Sequence, residues 1–237
     1  MPISVVIPAY NEEKYIAKTL ESLARQTYRD FEVVLSITGD DATAEVARQF
    51  FTKHDIAHRL VFPERKGVAL ARQQGTQAAR YPIIASTDAD AIVPPDWLAR
   101  IQRFFDQNAR FQAVYGPVYF FDGSPLQRAT ARCLYPLFLH ISRFFGNDNV
   151  AGNNMAFRAA ASTRVGGYST KVDSCEDIEL IQRVKTVGPI AYRRDIFAQV
   201  SARRMQNGLL LFLMHNLRNY LRIFILRKSP RPFEDIR

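Results

Sequence analysis

Ile3-Ser4-Val5-Val6-Ile7, closed by Pro8, is an apolar run too short for a helix and rich in β-branched residues. It reads as a strand buried on both faces. Immediately downstream, Glu12 to Gln26 sets Tyr15, Ile16, Leu20 and Leu23 on one stripe at helical spacing. The pairing then repeats. Phe31-Glu32-Val33-Val34-Leu35-Ser36-Ile37 is the next strand and Asp41 to Phe51 the next helix. Leu60-Val61-Phe62 precedes a helix over Gly67 to Ala79, and Pro82 to Ser86 precedes one over Asp96 to Asp106. Four such units predict an α/β layer: a mixed, mainly parallel sheet flanked by helices.

After Gln107 the rhythm changes. Phe111 to Phe121 reads as a strand bent at Gly116-Pro117, and Pro125 to Phe145 as a helix crowded with Leu134, Leu137, Phe138, Ile141, Phe144 and Phe145. Asn153 to Phe157 is a strand, Asp177 to Val187 a helix, and Ile190–Tyr192 and Ile196–Val200 are short strands. Nothing repeats and no linker is visible. A chain of 237 residues suits a single domain, here taken as residues 1–205 with a C-terminal tail over 206–237.

The formal net charge is +9, and residues 203–237 hold eight Lys or Arg against Glu234 and Asp235. No zinc spacing, recognition helix or aromatic-basic motif accompanies that charge, so nucleic acid is not the expected partner. A diphosphate ligand or an anionic membrane fits better. Between Gly208 and Leu226 the tail is apolar, interrupted by Arg218 and Arg222. This predicts an amphipathic helix lying on a bilayer, or else packed on protein. Cys133 and Cys175 give no disulfide framework, and the N-terminus lacks a basic leader. A cytoplasmic location, peripheral to the inner face of the membrane, is the expectation.

Two acidic pairs stand out. Asp88-Ala89-Asp90 follows the buried strand Pro82–Ser86, and Glu176-Asp177 opens a helix. Carboxylates packed at a strand end need a positive partner, and Mn²⁺ or Mg²⁺ reaches substrate phosphates through such oxygens. The plainer alternatives are a solvated turn for the first pair and an acidic helix start for the second. Pro8-Ala9-Tyr10-Asn11-Glu12-Glu13 lies beyond the first strand, where α/β sheets bind ligands. Tyr10 there could stack on a base, or Asn11 could simply cap the helix.

These stretches, with Gln26-Thr27-Tyr28, Gly67 to Gly75, Pro94-Pro95-Asp96-Trp97-Leu98, Gly152 to Arg158, Val165-Gly166-Gly167-Tyr168 and Glu176 to Leu180, resemble the family 2 glycosyltransferases over roughly residues 3–205. The resemblance implies a single GT-A-type domain and inverting transfer from a nucleotide-sugar donor to a sugar or lipid-linked acceptor. It implies Asp90 and Asp88 as ligands of Mn²⁺ or Mg²⁺, Asp177 as general base, and Glu176 as its catalytic neighbour. Pro8, Ala9, Tyr10, Glu12, Asp41, Arg72, Asp88, Ala89, Arg203 and Arg204 would bind the donor. Residues 1–110 would form the donor half and 111–205 the acceptor half. For Arg72 a role in helix contacts competes with nucleotide binding, and for Arg203 and Arg204 a basic surface competes with a diphosphate clamp. The family's acidic pair at the end of the second strand is replaced by Ser36 and Ile37, with only Asp41 kept. That leaves the donor nucleotide open. A nucleotidyltransferase, and a silent nucleotide-sugar- or membrane-binding module, are the competing functions.

Overall fold

The computed structural model describes residues 1–171, 175–205, 214 and 217–222. A seven-stranded sheet forms its centre. β1 (Ile3–Tyr10) pairs in parallel with β2 (Phe31–Thr38) and β4 (Ile83–Ser86), and β2 with β3 (Ala57–Val61). Then the direction reverses: β8 (Met155–Arg158) runs antiparallel to β4 and to β6 (Ala113–Tyr115), and β9 (Ile190–Tyr192) closes the edge parallel to β6. The order is therefore β3-β2-β1-β4-β8-β6-β9.

The two-sided burial expected of the first strand is literal. Ile3, Val5 and Ile7 join one core, which contains Leu20 of α1 (Ile16–Ala24), Phe50 of α2 (Thr43–Lys53) and Trp97 and Ile101 of α4 (Trp97–Gln107). Val6 joins the other, with Ile84, Phe157 and the α7 (Glu176–Val184) residues Leu180, Ile181 and Val184. The period of two along a strand divides one segment between two cores. α3 (Val68–Ala78) crosses close to the sheet: a Cβ on Gly75 would lie 2.7 Å from Val6 Cγ1.

A second, three-stranded sheet sits at the carboxyl ends of the first. It consists of β5 (Ala91–Ile92), β10 (Ala198–Val200) and β7 (Val118–Phe120), with β10 between the others. The Phe111–Phe121 segment is thus two strands in different sheets, because Gly116 sits against the backbone of Ile196 and Arg193, where any Cβ would collide with the Ile196 carbonyl. α5 (Pro125–Phe144) begins at a capping box in which the Ser124 hydroxyl accepts from the Gln127 N–H. α6 (Ala159–Arg164) follows β8 directly and was not expected.

The first helix starts later than its pattern suggests. Asn11 is not its cap: it takes φ 53°, and its Oδ1 accepts the Asp40 N–H. Glu12 to Tyr15 form a turn, and α1 begins at Ile16. Most of the expected tail helix lies outside the described residues, although 214 and 217–222 are helical.

Candidate active site

The acidic pair at the end of β4 is held open like a bracket. Thr87 N–H bonds to the Val6 carbonyl, Ala91 N–H to the Asp88 carbonyl, and the Thr19 hydroxyl to the Ala89 carbonyl at 2.7 Å. Ala89 is buried, so its side chain packs in the core and the two flanking aspartates turn outward.

Each aspartate meets an arginine. Arg72 of α3 is buried, with 3% of its side chain exposed, and its Nη2–H donates to Asp88 Oδ1 at 2.6 Å. The same guanidinium donates from Nε to Glu176 Oε1 at 3.0 Å, and from Nη1 to the Gly152 carbonyl at 3.0 Å and to the Ser86 hydroxyl. Burial alone would lower its pKa, but Asp88 and Glu176 reverse that, so the cation is permanent. Arg72 therefore joins the two acidic motifs from inside the protein; its hydrogen bonds go to the fold, not outward to a ligand.

Arg203 does the corresponding work on the other aspartate. Its Nη2 lies 2.7 Å from Asp90 Oδ2 and donates to Glu12 Oε1 at 2.9 Å, and the guanidinium sits 4.5 Å from the centre of the Tyr15 ring. The small sheet delivers it: Val200 of β10 pairs with Ala91, next to Asp90. Asp122 then fixes the following turn by accepting from the Ser201 hydroxyl at 2.7 Å and the Ala202 N–H at 2.5 Å. Arg204 shares the turn Ala202–Met205, and its side chain lies outside the described residues.

Asp177 stands beside Glu176 at the start of α7. Its Oδ2 accepts the Gly152 N–H at 2.6 Å and its Oδ1 the Ile178 N–H at 2.8 Å. Burial first, then the Glu176 carboxylate, push its pKa up to about 7, against the pull of Arg72 and the two N–H donors. Gly152 is wedged between the charges. A Cβ there would come within 2.7 Å of Arg72 Nη2 and 3.0 Å of Asp177 Oδ2.

Other expected donor contacts are placed differently. Ala9 is buried in the core, while Pro8 and Tyr10 reach the partly exposed end of β1. Lys66 Nζ lies 4.1 Å over the Tyr10 ring. Asp41 is tied to the scaffold: Oδ1 accepts from the Thr43 N–H at 2.9 Å and Oδ2 from the Glu13 N–H at 3.0 Å. Sequence reasoning missed Asp122 and Asn154. Buried Asn154 accepts the Trp97 indole N–H at 2.9 Å and donates to the Pro117 and Ile196 carbonyls, locking α4 to the junction of the two sheets. An asparagine next to Gly-Asn before a strand was the available signal.

The family model for glycosyl transferase family 2 matches residues 4–163, which contain the first acidic motif and Arg72. The chain belongs to that family. Among curated relatives, a glucosyl-dolichyl phosphate glucuronosyltransferase of Haloferax volcanii is 27% identical over 177 residues, 72% of this chain and 56% of its own length. Glycosyltransferase AglE of the same organism is 38% identical over 101 residues, 41% of this chain and 33% of its own. This chain thus spans only about half of the first relative and a third of the second. Among solved structures, a Pyrobaculum calidifontis mannosyltransferase in complex with GDP-Man and Mn²⁺ has a TM-score of 0.75 at 22% identity, covering 97% of this chain and 65% of that one. TarS of S. aureus (residues 1–349) gives 0.68 at 16% identity, covering 98% and 67%. At these identities the structural likeness carries the GT-A fold.

Asp88 and Asp90 meet the chemistry of a divalent-cation site. Hard cations of this kind take one or two carboxylates and complete their shell with phosphate oxygens and water. Among the described residues no cluster of three or more His, Cys, Asp or Glu could hold a metal unaided. Asp90 is already shared with Arg203. The donor set therefore fits an ion that arrives with a phosphate-bearing ligand.

Proposed function

We propose that the chain is an inverting glycosyltransferase that moves a sugar from a nucleotide-sugar to an acceptor hydroxyl. One observation carries this reading: Arg72 bonds Asp88 and Glu176 simultaneously and holds the carbonyl of Gly152, whose N–H goes to Asp177, so the two acidic motifs meet around one guanidinium. The family assignment and the donor-bound GDP-Man structure of a fold relative support it.

In this reading Asp177, poised near neutrality, removes the proton from the acceptor hydroxyl. The acceptor oxygen forms its bond to the anomeric carbon as the bond to the diphosphate breaks on the opposite face, and the electron pair leaves with the diphosphate. Asp90 and Asp88 are the residues that would hold Mn²⁺ or Mg²⁺, whose charge would stabilise the departing diphosphate. Arg203, beside Asp90, supplies a second positive group suited to phosphate oxygens. Glu176 holds Arg72 and raises the Asp177 pKa, so it positions the base. Residues 1–110 provide most of the donor side and 111–205 the acceptor side, with Arg203 reaching back across the divide. The acceptor is a sugar or a lipid-linked molecule, and the C-terminal tail would make any peripheral membrane contact. Because Ser36 and Ile37 replace the usual acidic pair and Asp41 is engaged with Thr43, the reading names no donor base.

Asp177→Asn tests the assignment. The variant is expected to bind a nucleotide-sugar with Mn²⁺ like the parent, by thermal shift, while transfer falls by about 10²–10⁴-fold. Undiminished turnover would refute Asp177 as base. A reading as a nucleotidyltransferase predicts instead pyrophosphate release from a nucleoside triphosphate and a sugar phosphate.

A further inference from the structure

α5 is built inside out for a helix surrounded by water. Its buried side is modest, comprising Ala131, Pro136, Leu139 and Ser142. Its outer side holds Leu134, Leu137, Ile141 and Phe144, spaced three and four residues apart on one face, with Phe145 just beyond. Phe144 is 86% exposed and Phe145 69%. Isolated exposed apolar residues are ordinary, but a continuous row of leucine, isoleucine and phenylalanine marks an interaction surface.

A second row lies alongside. Met214, Leu217 and Leu221 are all exposed, again at spacings of three and four. Tyr220 joins this segment to α5 through an edge-on contact with Phe138 at 5.3 Å, and to the turn after α5 by accepting a hydrogen bond from Asn147 Nδ2 at 3.1 Å. The two rows thus belong to one face of the molecule.

We propose that this face docks on an anionic lipid bilayer, with the α5 side chains entering the headgroup–acyl boundary. Charge selects that occupant over a second copy of the chain. α5 contains the exposed Arg128 and Arg132 and no carboxylate, its Arg143 being paired with Asp148 at 3.5 Å; Arg218 is exposed on the neighbouring segment, and the whole chain carries +9. A symmetric self-contact would set like charge against like, whereas anionic headgroups attract it. No helix among the described residues is long and apolar enough to cross a membrane; the contact proposed for α5 lies in the plane of the bilayer.

Docking does not depend on the transferase reading.

The test is flotation of the full chain with vesicles of phosphatidylcholine alone or mixed with phosphatidylglycerol. Binding is expected on the mixed vesicles, weakened by high salt, and reduced roughly tenfold or more in Leu137→Glu/Ile141→Glu/Phe144→Glu. Phe144→Ser, at the most exposed position, should lower binding without altering the melting temperature, which guards against misfolding of the triple variant. Equal flotation of parent and variants, or a parent dimer in sedimentation that the triple variant abolishes while vesicle binding persists, would overturn the proposal. Nucleotide-sugar binding measured on the same proteins separates the two readings: its loss in the parent with flotation intact sinks the transferase, and the reverse sinks the docking.

Discussion

Replacing Arg72 by methionine keeps the stem of the side chain and deletes the charge. Its guanidinium is 3% exposed and makes charged bonds of 2.6 and 3.0 Å to Asp88 and Glu176, whose side chains are 20% and 7% exposed. Removing one partner from a buried ion pair costs about 3–5 kcal/mol, because the remaining charges keep their desolvation penalty. For a domain of this size each kcal/mol lowers the melting temperature by about 2–4 °C, so a fall of roughly 6–20 °C is expected. The loss also has a pH signature. Without the cation, the burial and the neighbouring Glu176 charge that raise the Asp177 pKa lose their main opponent, so that pKa rises further above its unfolded value. A group shifted upward weakens the fold as pH rises through that pKa, so the deficit should be greatest above neutrality and shrink on acidification. Thermal unfolding of parent and Arg72→Met between pH 5 and pH 8.5 reads both effects. Adding Glu176→Gln to complete a double-mutant cycle should show a favourable coupling of at least about 1 kcal/mol. A melting temperature lowered by less than about 3 °C, by the same amount at every pH, would refute the view that this arginine bridges two otherwise repelling motifs.

Because Asp177 titrates near 7 and acts deprotonated, the rate of transfer should climb with pH through about 7 and then level, measured as nucleotide diphosphate release across a pH series. Its folded pKa exceeds the ordinary 3.8, so Asp177→Asn should gain melting temperature over the parent at pH 8 and lose that advantage near pH 5. Gly152→Ala would press a methyl group against Arg72 and Asp177. A destabilisation of about 1–3 kcal/mol by denaturant unfolding is expected, with transfer reduced more than stability alone explains. Asn154→Ala strands the Trp97 N–H and removes the side-chain donor to the Ile196 carbonyl, while the Pro117 carbonyl keeps the Ala198 N–H; a cost of about 2–4 kcal/mol in urea unfolding is expected.

The first half of the fold was legible because its strands are buried on both faces and its helices carry a single apolar stripe. Ile3–Ile7 and Phe31–Ile37 announce themselves by local composition alone. In the second half the elements α5, β8, α7, β9 and β10 were legible too, but not which sheet each strand joins, since that depends on contacts distant in sequence. Gly116-Pro117 signals a bend but not that the chain leaves one sheet for another there; the cause is the Ile196 carbonyl some eighty residues away. The acidic motifs were visible as carboxylates needing partners, whereas the identity of those partners was not. Arg72 looked equally suited to a nucleotide, and Asp122 looked like an ordinary loop residue. Asn11 misled because αL geometry and a bond to Asp40 replace the cap its type suggests.

The bond from Arg203 to Glu12 spans 191 positions of the chain, and the pairing of β10 with β5 brings that arginine to it. During synthesis the amino-terminal strands and helices can assemble while the ribosome is still translating, yet the pocket beside Asp90 acquires its counter-charge only after residue 203 has emerged from the exit tunnel. A nascent chain stalled before β10 would thus display a folded but electrostatically unfinished site, which couples emergence of the β10 segment to the first moment at which ligand can be gripped.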